Sequence, residues 1–307
     1  MKLKFILLLA LALLAALGWT FVKRPLPVSK AMGAALPSAP SIEGVSFSLI
    51  RSAEMQSQQG FSVRGGSLMK SLTTGLVAFV VEHPKGRVLI DAGVGRDALQ
   101  HLETTPLLLR LLATLTVKQP TVDALAARGM EPSDLRAIVL THSHWDHVSG
   151  LADLRDVPVW ITPEELAHAR SDDEGGKLYR QLEAESSFQL IELAFGHGAY
   201  GPFPSSYDFF GDGSLVLVPM PGHTPGSVGV FVNLPSGKRL LIIGDTSWTK
   251  EGVDWPAEKP WMARRMVDFD PAGVREQLVL LHQLQRANPG LTIVPAHDAR
   301  VHDTIAD

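Results

Sequence analysis

Four apolar runs of strand length, widely separated along the chain, each lead into a histidine or an aspartate. Ala137–Leu140 runs into THSHWDHVSG (141–150), and SLVLVPM (214–220) leads into the turn PMPGHTPGS that holds His223. RLLIIGD (239–245) ends in Asp245 and LTIVPAH (291–297) ends in His297. A single polar residue at a strand end needs no special explanation, because His, Asp and Ser satisfy free backbone groups there. Their joint recurrence selects a metal site. His142 and His144 are two apart, so in an extended chain both point to one face and can grip one ion together. Asp146 and His147 follow where the chain should turn into a helix, which swings them to a second position and suits two ions better than one. Gly222 permits a turn tight enough to aim His223 inward. Neutral imidazole and carboxylate are suitable ligands for zinc, iron or manganese. Five of the eleven histidines stand at such strand ends. The others, His83, His101, His168, His197, His282 and His302, lack that setting and are read as ordinary surface or core residues.

The rest of the composition narrows the chemistry. The chain has no cysteine, which excludes disulfides, a thiolate nucleophile and a zinc-thiolate site. A net charge of −4, with Lys and Arg scattered, gives no footprint for nucleic acid, so a small-molecule substrate is the expected partner. With 307 residues and 45% hydrophobic content the chain can bury one large core.

After Lys2 and Lys4 come eighteen uncharged residues, FILLLALALLAALGWTFV (5–22), followed by Lys23 and Arg24. This pattern predicts an export signal, with residues 1–24 a cleaved signal peptide or a retained membrane anchor. Ala16-Leu17-Gly18 offers a cleavage site, and Lys23 with Arg24 suits an anchor equally. The protein is then periplasmic or secreted, and touches a membrane only through this segment. Residues 25–42, PLPVSKAMGAALPSAPSI, read as a linker, and 43–307 as the folded domain that carries the site.

Within that domain strand-like and helix-like segments alternate, which predicts one α/β domain. GLVAFVVEH (75–83), the turn Pro84-Lys85-Gly86 and RVLIDAG (87–93) predict a hairpin. TPLLLRLLATL (105–115) suits a packed helix or a flap over an apolar pocket. TVDALAARG (121–129) predicts a helix with a Thr cap, and PAGVREQLVLLHQLQRAN (271–288) one with an apolar stripe.

The motif His142-x-His144-x-Asp146-His147, followed in order by His223, Asp245 and His297, resembles the metallo-β-lactamase-fold hydrolases over nearly all of residues 45–300. The resemblance implies an αββα sandwich with a dinuclear site at one edge. It implies a first ion on His142, His144 and His223, a second on Asp146, His147 and His297, and Asp245 bridging them. Asp91, in LIDAG, matches the acidic residue that supports a histidine ligand in this family, although a turn-capping aspartate would look the same. Two divalent ions are therefore expected, zinc first, with iron, manganese or cobalt as alternatives.

Departures from particular branches sort the activities. β-Lactamases of this fold carry Cys or Ser where Asp245 stands. Hydroxyacylglutathione hydrolases share the seven ligands but continue into a helical domain, whereas ten residues follow His297 here. The ribonucleases of the fold would want a basic surface. The segments GDTSWTKEGVDWP, DFDPAGVREQLVLLHQLQ and IVPAHD look most like the N-acyl homoserine lactonases. Those enzymes have a tyrosine three residues after the bridging aspartate, and Trp248 stands there in this chain. An indole donates a hydrogen bond but cannot accept one. Trp248 is thus either a substrate contact or part of the core. The resemblance implies hydrolysis of a lactone or ester with an apolar tail, a phosphotriester or aryl ester being the alternative, and β-lactam or thioester hydrolysis ranking lower. Two ions roughly 3.5 to 4 Å apart acidify a shared water enough to supply hydroxide near neutral pH. The expected catalytic residues are Asp245 and Asp146, the latter passing the proton. Trp145 and Trp248, with Phe203, Phe209 and Phe210, are expected at an acyl pocket. The sequence leaves a homodimer open.

Overall fold

The first stretch of the domain is a meander whose alternation sorts side chains to two faces. Strand β1 (Ser46–Gln58) pairs antiparallel with β2 (Ser71–Glu82), and β2 with β3 (Arg87–Ile90), Phe79 lying opposite Ile90. The turn at Pro84-Lys85-Gly86 joins the last two as predicted. In this computed structural model, described over residues 4, 5, 7, 11, 15, 18–29 and 35–305, the meander is the centre of a seven-stranded sheet. It is flanked by β4 (Thr114–Val117) on one side and by β5 (Leu135–Val139), β6 (Val159–Ile161) and β7 (Leu190–Glu192) on the other, in the order β4-β1-β2-β3-β5-β6-β7. Strands β3, β5, β6 and β7 run parallel to one another.

A second sheet of five strands contains β8 (Tyr207–Asp208), β9 (Leu215–Pro219), β10 (Val228–Asn233), β11 (Arg239–Ile242) and β12 (Leu291–Val294), in the order β12-β11-β10-β9-β8. Strands β9, β11 and β12 occupy the runs predicted from the sequence. The two inner faces share one core: Phe79, Val81, Ile90 and Val139 meet Leu217, Val230, Val232 and Ile242. The alternate residues of the same strands face outward and are covered by helices. Val80, Leu89 and Ile138 pack with Leu125, Leu151, Tyr179 and Leu182 on one side. Val218, Phe231, Leu241 and Ile293 pack with Leu281 and Leu284 of the helix Pro271–Ala287 on the other. The period of two in the strands therefore gives four layers, helix, sheet, sheet, helix, the αββα arrangement expected.

Two local expectations change. The helix Thr121–Ala126 begins after Pro120, so Thr121 is its first helical residue and not its cap; the Thr121 side chain is buried instead. The expected linker lies along the domain where it is described, with the Leu26 N–H donating to Pro256 O at 2.7 Å and the Leu36 N–H to Asn288 Oδ1 at 3.3 Å. Much of the expected signal, residues 5–22, falls outside the described residues, and among the described ones no helix is long and apolar enough to cross a membrane.

His302, on the closing helix Ala299–Ile305, is wholly buried, and its Nε2–H donates to Pro295 O at 3.0 Å. Burial pushes its imidazole down from 6.5 to about 4. The unfolded chain takes up this proton first, so stability is full above pH 6.5 and falls as the pH drops towards 4, then levels off. His302→Gln keeps the N–H donor and removes the titration. The difference in denaturant stability between parent and variant should therefore vary with pH only in that window, at no more than about 1.4 kcal/mol per pH unit.

Candidate metal centre

Asp245 is the point where the two sheets' ligands meet. It follows β11, in a turn begun by Gly244, and its buried carboxylate turns one oxygen to each of two sets of side chains. Oδ2 lies 3.5 Å from His223 Nε2 and 3.9 Å from His142 Nε2, while His223 Nε2 is itself 2.9 Å from His144 Nδ1. Oδ1 lies 2.9 Å from His297 Nε2 and 3.4 Å from His147 Nε2, and Asp146 Oδ2 is 3.3 Å from His297 Nε2. The candidate ligand atoms thus form two groups, His142, His144, His223 and Asp245 in one and Asp146, His147 and His297 in the other. All seven residues singled out in the sequence come together, in the division the resemblance implies.

Local structure explains the aim of each. After β5 the backbone carries His142 and His144 out in extended form and then enters the helix Trp145–Val148, which turns Asp146 and His147 sideways. Gly222 has φ +141°, and a Cβ there would lie 2.6 Å from Val274 N, so only glycine lets the β9–β10 turn press against the helix Pro271–Ala287 and direct His223 inward.

The outward nitrogens are held as firmly as the inward ones. His147 Nδ1 meets Asp91 Oδ2 at 2.7 Å, His223 Nδ1 meets Asp268 Oδ1 at 2.8 Å, and His297 Nδ1 donates to Gly75 O at 3.0 Å. Asp91 also accepts from the N–H and hydroxyl of Thr141, and it holds φ +57°, unusual for a residue with a side chain. It supports a histidine and braces the motif's first residue, which answers the question its sequence left open. Asp268 is fixed in turn by Lys259 Nζ at 2.8 Å, and the same ammonium donates to Asp245 O. Glu165 accepts from the Ser143 N–H at 2.7 Å and from the Thr224 hydroxyl at 2.5 Å, tying the two histidine-bearing loops together. Asp268, Lys259 and Glu165 carry no spacing signal in the sequence; their roles come from contacts between distant segments.

The electrostatics suit cations. Burial holds His142 and His144 well below the usual imidazole range, leaving them neutral with free lone pairs. Burial works against the charge on Asp245 but is outweighed by His297 and His147, and the carboxyl stays well below its ordinary value. His142 Nε2 is buried with no hydrogen-bond partner, and His147 Nε2 and Asp245 Oδ1 are buried with only each other and His297 Nε2 in reach. Buried polar atoms left unpaired are costly, and divalent ions would satisfy all three, so these residues fit the expected metals.

Trp145, Asp146, Trp248 and His297 border a largely apolar cavity of about 180 Å³, with Leu109, Leu112, Met262 and Met266 among its other walls. The helix Leu107–Leu112 lines it, in keeping with the flap reading, whereas Thr114 and Leu115 of the expected segment belong to β4. Trp248 is half-buried in that wall and its Nε1–H donates to Asp245 Oδ2 at 2.8 Å, so it belongs to the cleft and not to the core. Phe203, Phe209 and Phe210 do not reach the cavity: the first is buried under the second sheet and the others lie between the sheets, because their positions fall on core-facing backbone.

A four-layer sandwich with two histidine and aspartate groups sharing one carboxylate at its edge defines a metal-dependent hydrolase. The chain belongs to the metallo-β-lactamase superfamily, whose family model matches residues 75–297. It is 30% identical over 243 residues to a probable metallo-hydrolase of Mycobacterium bovis, covering 74% of this chain and 76% of that protein. It is 28% identical over 178 residues to the N-acyl homoserine lactonase AttM of Agrobacterium fabrum, covering 56% and 64%. Among solved structures, an N-acyl homoserine lactone hydrolase with the product N-hexanoyl-L-homoserine at its catalytic metal centre aligns with TM-score 0.65 at 20% identity, over 86% of this chain and 97% of that one.

Purified protein should hold close to two equivalents of divalent metal by elemental analysis, and His144→Ala or Asp245→Ala should lose at least one. Asp268→Asn, which touches no ion, should weaken metal affinity by roughly 10- to 100-fold in a chelator competition.

Proposed function

We propose that the protein hydrolyses a lactone or ester carrying an apolar tail. The observation that carries this reading is that the shared carboxylate Asp245 and its neighbour Asp146 open directly onto a largely apolar cavity. Leu109, Leu112, Met262 and Met266 take up the tail by burying it from water, which places the carbonyl between Trp145 and Trp248 at the polar end. When bound, the two ions supply Lewis acidity and an acidified water. Asp146, at the cavity wall, is the carboxylate placed to take up a proton beside the carbonyl and to return it to the leaving alkoxide oxygen. The Trp248 indole holds the Asp245 carboxylate in place, a positioning duty that a tyrosine hydroxyl three residues after the aspartate would perform with a different reach. The lactonase relatives and the bridging aspartate support this choice over β-lactam hydrolysis.

Metal-loaded protein should open long-chain acyl lactones faster than short-chain ones, and faster than phosphotriesters, aryl esters or a cephalosporin. Turnover of phosphotriesters with no lactone opened above the buffer rate would overturn the reading. Trp248→Phe, which keeps the ring and loses the donor, should lower kcat/KM by about 10- to 100-fold with metal content unchanged.

We also propose export, supported by the uncharged run Phe5–Val22 between flanking lysines and Arg24. A C-terminal fusion to a reporter active only outside the cytoplasm should report activity, and a reporter active only inside should stay silent.

A further inference from the structure

The walls of the cavity present a second, outward face that the chemistry does not use. In the helix Trp261–Val267, Met262 and Met266 turn to the cavity, and the opposite side carries Trp261, half exposed, with Arg264 and Arg265. In the helix Leu107–Leu112, Leu109 and Leu112 line the cavity, whereas Leu107 and Leu111, one turn apart, are 61% and 72% exposed. Both banks of the mouth therefore expose large apolar side chains to water, which a soluble surface ordinarily avoids in clusters.

On the Trp261 side of this rim the charge is mostly positive, while the exposed Glu174 lines the cavity at another wall. Behind Trp261 lies a recess lined by Trp19, Arg24, Arg64, Arg264 and Arg275 around one carboxylate, Glu258. Arg64 and Arg275 reach Glu258 at 3.3 and 3.1 Å and Arg264 also pairs with it, so four guanidinium groups face a single negative charge. The chain reaches this place directly from its uncharged run. Gly65 N–H donates to Phe21 O at 3.0 Å, Arg64 donates to Trp19 O at 3.1 Å, and Phe21 packs edge-on against Phe61 with ring centres 6.0 Å apart. Phe21 and Phe61 line the substrate cavity, while Trp19 lines the arginine recess.

We propose that the mouth of the cavity docks on the surface of a lipid bilayer carrying anionic headgroups. Leu107, Leu111 and Trp261 enter the apolar boundary, Trp19 sits at headgroup level, and Arg24 and Arg275, the more exposed guanidinium groups of the recess, bind lipid phosphate. Three features select this occupant: exposed tryptophans beside exposed leucines, an excess of guanidinium within the same patch, and an uncharged run that joins the domain there. An apolar-tailed substrate dissolved in the bilayer then enters the cavity without crossing water. The proposal does not depend on which acyl compound is cleaved.

The chain has no cysteine, so single cysteines report position cleanly. Full-length Leu111→Cys and Ser236→Cys, the second in the β10–β11 turn at the far end of the strands, are labelled with an environment-sensitive fluorophore. They are mixed with vesicles of phosphatidylcholine alone or with added phosphatidylglycerol. The Leu111 label should shift to the blue, most on the phosphatidylglycerol vesicles and less at high salt, and the Ser236 label should not shift. Adding Arg24→Gln and Arg275→Gln should weaken binding to the anionic vesicles by roughly ten- to thirty-fold and leave binding to the neutral ones unchanged. A Leu111 label that stays water-exposed on vesicle-bound protein overturns the proposal and leaves membrane contact to the N-terminal run. A blue shift without vesicles, accompanied by a dimer mass, overturns it in favour of a second copy of the chain on this rim.

Discussion

The carboxylate of Asp245, buried at the junction of two histidine groups, is the constraint on which the catalytic end of the molecule depends. A lone buried carboxylate is strongly unfavourable, and this one persists because imidazoles from β5, the β9–β10 turn and β12 surround it. Its two oxygens face different groups, so it fixes how the two clusters of candidate ligand atoms sit against each other.

The sandwich exists in a form that makes this possible. Parallel strands β3 and β5 in one sheet and β11 and β12 in the other end at the same edge, so residues far apart in sequence emerge side by side. The shared inner core fixes the sheets against each other, and close-packed interiors leave little freedom for the strand ends to drift. Outer partners then lock the ligands: Asp91 comes from the end of β3, Gly75 from β2, and Asp268 from the segment before the helix Pro271–Ala287. His147, His223 and His297 are each oriented by an element other than their own, the arrangement that holds a metal site to a narrow geometry.

The substrate end follows a looser rule. Its walls combine short helices, residues of β1 and β2 and the N-terminal stretch around Phe21, with Leu, Met and Phe side chains among them. Such side chains adapt to an apolar guest more readily than a polar lattice would. The metal end is therefore rigid and the tail end accommodating.

How much of this was legible in the sequence depended on whether the signal was local. The ligands could be read because each sits at the end of an apolar run, and the strands because each is a short continuous apolar run, as in the residues around Phe79 and Val80. The phenylalanines assigned to the pocket failed because aromatic character does not say which face of a strand or loop turns inward. Trp248 could not be placed until its indole was seen on Asp245, and Asp268, Lys259, Glu165 and Phe21 gave no warning, since their partners lie on distant segments. The sequence by itself determined the ligand types, their strand-end positions and the exclusion of thiolate chemistry, all consequences of residue identity and local periodicity. Only the tertiary structure decided which atom of Asp245 faces which histidine, which side chains brace the site and which line the cavity, because those depend on how two sheets and their covering segments close over one edge.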